Sequence, residues 1–159
     1  MNALARKLGR ALQARQALLV TAESCTGGWA AQAVTAIAGS SAWFERGFVT
    51  YSNAAKEELL GVKKRTLARH GAVSEPTARE MALGALSRSR GTIALAITGV
   101  AGPGGGSRAK PVGTVCFGWA IRGRSAWSET RRFRGDRRAV RRQSVEHALR
   151  GVLGRLDSA

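Results

Sequence analysis

The run Thr92-Ile93-Ala94-Leu95-Ala96-Ile97-Thr98 constrains this chain most, because a near-continuous apolar stretch of strand length reads as a strand buried on both faces. A helix precedes it: Ser74-Glu75-Pro76 supplies a capping residue and a first-turn proline, Met81, Leu83, Ala85 and Leu86 supply apolar surface, and Gly91 stops it. A helix feeding a doubly buried strand is a parallel α/β unit. The strand then runs into Gly99-Val100-Ala101-Gly102-Pro103-Gly104-Gly105-Gly106-Ser107, a loop with five glycines. Open α/β sheets bind ligands at this end of a strand, and the loop's N–H groups could cradle a phosphate; a flexible connector is the alternative. Neither a P-loop nor a GxGxxG spacing is present. Ser107-Arg108-Ala109-Lys110 matches SxxK only by chance, since Pro111 and the glycines prevent the helical turn that motif needs.

A second junction of the same kind opens the chain. Ala17-Leu18-Leu19-Val20-Thr21 is a short apolar strand, Trp29 to Ala38 reads as a helix, and Ala22-Glu23-Ser24-Cys25-Thr26-Gly27-Gly28 is the turn between them. This turn presents two nucleophile-capable side chains, Ser24 and Cys25, beside the N–H groups of Thr26, Gly27 and Gly28, which favour an anion. Alternatively Thr26 merely caps the helix and the glycines ease a tight turn.

The remaining elements follow from pattern. Asn2 to Gln16 carries Leu4, Leu8 and Leu12 at helical spacing and reads as a packed helix in preference to an Arg-rich transit peptide. Ala42 to Ser52 is aromatic and β-branched, hence a strand, with Gly47 as its expected bulge or bend. Asn53 is expected to cap a short helix through Leu60, ended by Gly61, with Lys56 one turn beyond Ser52. Val112 to Ile121 and Ala126 to Phe133 form a hairpin about Arg122-Gly123-Arg124-Ser125, so the sheet is mixed. Asp136 caps a last helix with a buried stripe of Val140, Val145, Ala148, Leu149, Val152, Leu153 and Leu156. Its first two turns hold Arg137, Arg138, Arg141 and Arg142, cations where the macrodipole prefers anions; a bound phosphate would resolve that conflict, and solvation would also tolerate it.

A chain of 159 residues, 44% apolar, has the size of one domain, taken as residues 1–159, and no linker or repeat divides it. Its 26 Lys and Arg against 10 Asp and Glu give a net charge of +16, which implies acidic or phosphorylated partners unless it reflects a general arginine bias. Cys25 and Cys116 are far apart without a CxxC, and His70 and His147 are isolated, so neither a disulfide scaffold nor a metal site is expected. No apolar run suits a signal sequence or membrane span, and a cytoplasmic protein is expected.

Taken together, TAESCTGG, IAGSSAWFERGFVTYSNAAK, GAVSEP, TGVAGPGGGS, KPVGTV and GDRRAVRRQ resemble the CinA C-terminal domain family, whose stand-alone members are nicotinamide mononucleotide (NMN) deamidases of the PncC type. The resemblance spans roughly Ala17 to Leu156. It implies a three-layer α/β/α sandwich with a mixed, mostly parallel sheet containing an antiparallel hairpin, often dimeric, and an amidohydrolase of pyridine nucleotide salvage that needs no metal or organic cofactor. Carried over by motif, Ser24 is the nucleophile, Lys56 its general base, and Tyr51 and Ser52 support them. A serine hydroxyl is a weak nucleophile until a base takes its proton, and a lysine serves as that base only with a lowered pKa, which burial or nearby arginines would supply. Thr26, Gly27 and Gly28 are the expected oxyanion hole. The substrate's phosphate is expected against Gly102, Gly105 and Ser107 of the glycine loop, the Ser40-Ser41 turn, or the Arg141-Arg142 pair. One departure stands out: family members often carry an acidic residue where this chain has Gly104.

Two other function classes compete. The nine arginines from Arg122 to Arg142, against only Glu129 and Asp136, could track nucleic acid. This reading is not favoured, because no helix-turn-helix, zinc-finger or RNP signature is present and few aromatics interleave the arginines. A family member without catalysis is the third class, and the presence of all the carried-over residues weighs against it.

Overall fold

The computed structural model describes residues 1–157. Five strands, β1 (Leu19–Glu23), β2 (Phe44–Val49), β3 (Ile93–Gly99), β4 (Thr114–Ile121) and β5 (Trp127–Arg132), form one sheet in the order β2-β1-β3-β4-β5. β1 pairs in parallel with both β2 and β3, while β4 is antiparallel to both β3 and β5, so β4 alone runs against the other strands. Helices α1 (Asn2–Ala14), α2 (Trp29–Thr35) and α6 (Arg137–Leu156) cover one face; α3 (Asn53–Leu60), α4 (Lys64–His70) and α5 (Glu75–Ser87) cover the other. The fold is the expected α/β/α sandwich with a mixed sheet.

Side-chain size on alternate strand positions decides how closely each layer approaches. In β3, Ile93, Leu95 and Ile97 face α1 and α6 with Phe117, Trp119, Leu8, Leu12 and Val145, while Ala94 and Ala96 face α5 with Met81, Ala82 and Ala85. Small residues let α5 lie almost on the sheet: a Cβ on Gly118 of β4 would sit 2.2 Å from the Ala78 carbonyl oxygen. Leu8 and Leu12 are fully buried, so the N-terminal segment is a packed helix, as its spacing predicts.

Several local expectations are corrected. α2 ends at Thr35, short of Ala38, and β2 is shorter than the predicted Ala42 to Ser52, with Ser40–Ala42 forming a 3₁₀ turn instead. The irregularity in β2 falls at Glu45, which the pairing of Leu19 with Phe44 and Val20 with Arg46 skips; Gly47 stays in register and provides clearance, since a Cβ there would lie 2.7 Å from Thr21 Oγ1. Ser52 caps α3, its hydroxyl accepting the Ala55 N–H at 3.0 Å, in place of Asn53. α4 was not foreseen; it is short and buries only Thr66. Ser74 and Asp136 cap α5 and α6 as expected.

Candidate active site

The first strand-to-helix turn is held from two sides. Glu23 ends β1 fully buried, and its carboxylate accepts the Thr26 hydroxyl at 2.6 Å and the N–H groups of Ala30 and Ala31 at 2.8 and 3.1 Å. The carboxylate therefore fills the anion position at the start of α2 that the glycine pattern had suggested for a ligand, and Gly28, at φ +101°, occupies the N-cap that Thr26 was expected to take. From α6, Arg141 donates through Nε to the Cys25 carbonyl at 3.0 Å and through a terminal nitrogen to the Thr26 carbonyl at 3.1 Å.

The next side chain, Ser24, turns to the opposite layer and meets α3. Lys56 Nζ lies 3.0 Å from Ser24 Oγ, 3.0 Å from the Thr50 carbonyl and 3.1 Å from the Tyr51 carbonyl. Lys56 is 1% exposed and Ser24 8% exposed. Burial pushes the Lys56 pKa below its ordinary value, with Cys25 opposing weakly. Burial, and not the arginines, is the cause. Cys25 responds in the opposite sense: burial raises its thiol to about 11 although Arg141 pulls it down, so it is protonated and unreactive near neutrality.

Ser24, Cys25 and Lys56 open into a cleft of about 340 Å³ walled by Tyr51, Asn53, Ala72, Val73, Thr98 to Gly102, Gly104 to Gly106, and Arg137. The glycine loop is thus part of the site, at the end of β3 where an α/β sheet places ligands. Gly102 and Gly105 line the cleft; Ser107 does not, closing a turn with Lys110 instead. Tyr51 is 64% exposed, and it meets the dyad through its backbone carbonyl rather than its ring. Ser52 is engaged in capping α3 and lies outside the cleft lining. Thr26, Gly27 and Gly28 do not line the cleft either, and the Gly27 N–H donates to the Ser24 carbonyl at 3.0 Å.

Two expected phosphate groups fall elsewhere. Ser40 and Ser41 precede β2, beside the start of β1, where Trp43 accepts the Leu19 N–H. A five-residue strand separates them from Ser24, about 15 Å at strand rise. Arg142 pairs with Glu146 on the outer face of α6 at 3.1 Å. Arg137 is the residue the sequence reading missed: it lines the cleft, with one nitrogen 2.8 Å from the Gly102 carbonyl and another 3.5 Å from the Tyr51 hydroxyl. Of the nine clustered arginines, Arg122 binds carbonyls of Leu86, Ser89 and Gly91, Arg137 and Arg141 bind backbone carbonyls of the loop and turn, and Arg131 pairs with Glu129 at the surface. Among the described residues no group of three or more His, Cys, Asp or Glu could hold a metal, and no helix is long and apolar enough to cross a membrane.

Comparison with known proteins agrees with this architecture. Residues 1–156 match the model of the CinA C-terminal domain. The chain is 60% identical over 148 residues to nicotinamide-nucleotide amidohydrolase PncC of Shigella flexneri, covering 92% of this chain and 88% of that protein. It is 58% identical over 146 residues to the protein of the same name from Escherichia coli K12, with the same coverage of 92% and 88%. Among solved structures, the competence/damage inducible protein CihA from Agrobacterium tumefaciens superposes with a TM-score of 0.95 at 46% identity, covering 98% of this chain and 94% of that one. The chain belongs to the CinA C-terminal domain family.

Proposed function

We propose that this chain is a nicotinamide-nucleotide amidohydrolase that converts NMN and water to nicotinate mononucleotide and ammonia through a Ser24–Lys56 dyad, as a step of pyridine nucleotide salvage. The observation that carries this reading is the Lys56 environment. Its nitrogen has three near neighbours, two carbonyl oxygens and the Ser24 hydroxyl. An ammonium can donate to all three, and a neutral amine can equally meet them, with two N–H groups donating to Thr50 and Tyr51 and the lone pair accepting the Ser24 proton. Burial favours that neutral form. The names and high identity of the relatives supply the substrate.

In this mechanism Ser24 Oγ attacks the carboxamide carbon as its proton passes to Lys56. The Lys56 ammonium returns the proton to the departing nitrogen, ammonia leaves, and Ser24 carries the acyl group as an ester. Water, deprotonated by Lys56, then attacks that ester and releases the carboxylate product and Ser24. Arg137 holds the substrate's phosphate from across the cleft, where its guanidinium already braces the glycine loop. Neither a metal nor a cofactor enters any step. The test is incubation of purified protein with NMN in the presence of chelator. Stoichiometric ammonia and nicotinate mononucleotide, absent from a heat-treated control, are expected; no product would overturn the assignment.

A further inference from the structure

We propose that Arg141 is a positioning residue that fixes the backbone N–H of Cys25 as the donor for the oxyanion formed at Ser24. This proposal rests on the amidohydrolase reading above. Within the turn the Ser24 carbonyl accepts the Gly27 N–H at 3.0 Å, with Gly27 at φ +57°, while the Thr26 hydroxyl donates to Glu23 at 2.6 Å and the Thr26 carbonyl accepts the Trp29 N–H at 3.0 Å. In a planar trans peptide the N–H points opposite the carbonyl. Because the Ser24 carbonyl is drawn back toward Gly27, the N–H of the same peptide, at Cys25, is directed the other way. Cys25 follows the nucleophile and lines the cleft, whereas Thr26, Gly27 and Gly28 do not. The donor is therefore one residue earlier than the glycine pattern implies.

The Ser24–Cys25 peptide is held on its carbonyl side by the Gly27 bond and the Thr26 carbonyl by the Trp29 N–H, and Arg141 adds the restraint at the Cys25 carbonyl between them. Its fork takes the next two carbonyls, Cys25 at 3.0 Å and Thr26 at 3.1 Å, and a Cβ on Gly27 would lie only 3.5 Å from its guanidinium. The Trp29 ring also packs against the guanidinium, its centroid 5.4 Å from Cζ. With three successive carbonyls tied, the turn has one orientation. The fork also explains why Arg141, unlike Arg137 on the same helix face, does not line the cleft: both its bonded nitrogens face backbone.

Arg141→Gln and Arg141→Lys, measured beside the wild type, test the assignment. Loss of an oriented oxyanion donor lowers kcat by about 10²–10³; a loosened one should lower it roughly 10- to 100-fold, with KM within about threefold and the pH midpoint of kcat/KM unmoved. Arg141→Lys, which keeps the charge but not the fork, should recover little. Independently of turnover, deuterium exchange at the amides of Cys25 to Gly27 should quicken at least tenfold in both variants while β3 amides stay unchanged. A rise in KM with kcat intact would overturn the proposal in favour of a substrate contact. Unchanged exchange in a folded variant would overturn it too. If wild-type protein does not hydrolyse NMN, the functional reading fails, and the exchange comparison still decides whether Arg141 holds the turn.

Discussion

Replacing Lys56 by Met tests the base and its burial with one substitution. Lys56 satisfies the Thr50 and Tyr51 carbonyls; Met leaves Thr50 unpaired and Tyr51 with only the Ser24 hydroxyl at 3.4 Å, in a site where Lys56 is 1% exposed. Each orphaned buried acceptor costs about 1–3 kcal/mol, so with one or both carbonyls orphaned Lys56→Met should at high pH be less stable than wild type by about 1–6 kcal/mol. Lowering the pH narrows that gap. The folded pKa of Lys56 lies below the unfolded value of 10.5, so between the two the unfolded chain binds a proton that the folded chain refuses. Wild-type stability therefore falls, relative to Lys56→Met, by up to about 1.4 kcal/mol per pH unit as pH drops from 10.5 to the folded pKa, and is level below it. The base is neutral only above that same folded pKa, so kcat/KM should rise with pH through it, and kcat of Lys56→Met should fall by about 10²–10⁴. Urea unfolding of both proteins from pH 6 to 10.5, beside the wild-type pH–rate profile, reads both quantities. A stability difference independent of pH, or a flat kcat/KM with chemistry limiting, would refute the reasoning.

Ser24→Ala should abolish turnover while Cys25→Ala stays within about tenfold, because the thiol, raised to about 11, is not the nucleophile at neutral pH; inactivation by thiol alkylation with Ser24→Ala still active would reverse the assignment. Arg137→Gln should raise KM for NMN roughly 10- to 100-fold, the worth of a charge-assisted hydrogen bond, and much less for the phosphate-free riboside. Arg142→Gln, altering only the surface pair with Glu146, should leave both constants alone; steady-state kinetics on the two substrates separates these outcomes. Gly118→Ala should destabilise the fold by about 3 kcal/mol or more in urea unfolding, since the new Cβ would meet the Ala78 carbonyl oxygen at 2.2 Å and β4 cannot withdraw from α5 without disturbing the sheet.

What was legible in the sequence depended on whether the signal was local. The doubly buried β3, the glycine loop at its end, the hairpin of β4 and β5 and the capped α6 each announce themselves within a dozen residues, and the structure has all of them. The dyad does not. Lys56 sits 32 positions from Ser24 on a short helix where a lysine ordinarily faces solvent, and only motif resemblance joined them before the fold did. Of the phosphate candidates, Ser40, Ser41, Arg141 and Arg142 lie outside the cleft lining for geometric reasons that the pattern did contain. Adjacent arginines on a helix diverge by about 100°, so Arg141 and Arg142 cannot serve one site, whereas Arg137 and Arg141, four apart, share a face. Ser40 and Ser41 precede a parallel strand, which places them at the opposite end of the sheet from residues that follow one. α4 escaped because a seven-residue helix with one buried residue carries almost no periodicity.

The opposed fates of Glu23 and Ser24 explain how the proposed mechanism can use a lysine as base with a carboxylate next to the proposed nucleophile. Successive side chains at the end of a strand point to opposite faces. Glu23 faces the layer of α2, where its oxygens are taken by Thr26, Ala30 and Ala31. Ser24 faces the layer of α3, where Lys56 waits. A carboxylate beside that ammonium would stabilise the charged form and hold the pKa up, which would leave no base at neutral pH. Among the described residues no carboxylate shifts Lys56; the ionisable neighbour that does is Cys25, and burial outweighs it. Thus the strand's alternation keeps Glu23 for the backbone of the turn, and burial without an ion pair lowers the Lys56 pKa in the direction the proposed base needs. Shifting β1 by one residue would exchange the two faces and bring the carboxylate to the lysine, so the proposed chemistry requires the register of Glu23 against Ile97 and Val49 as much as the fold does.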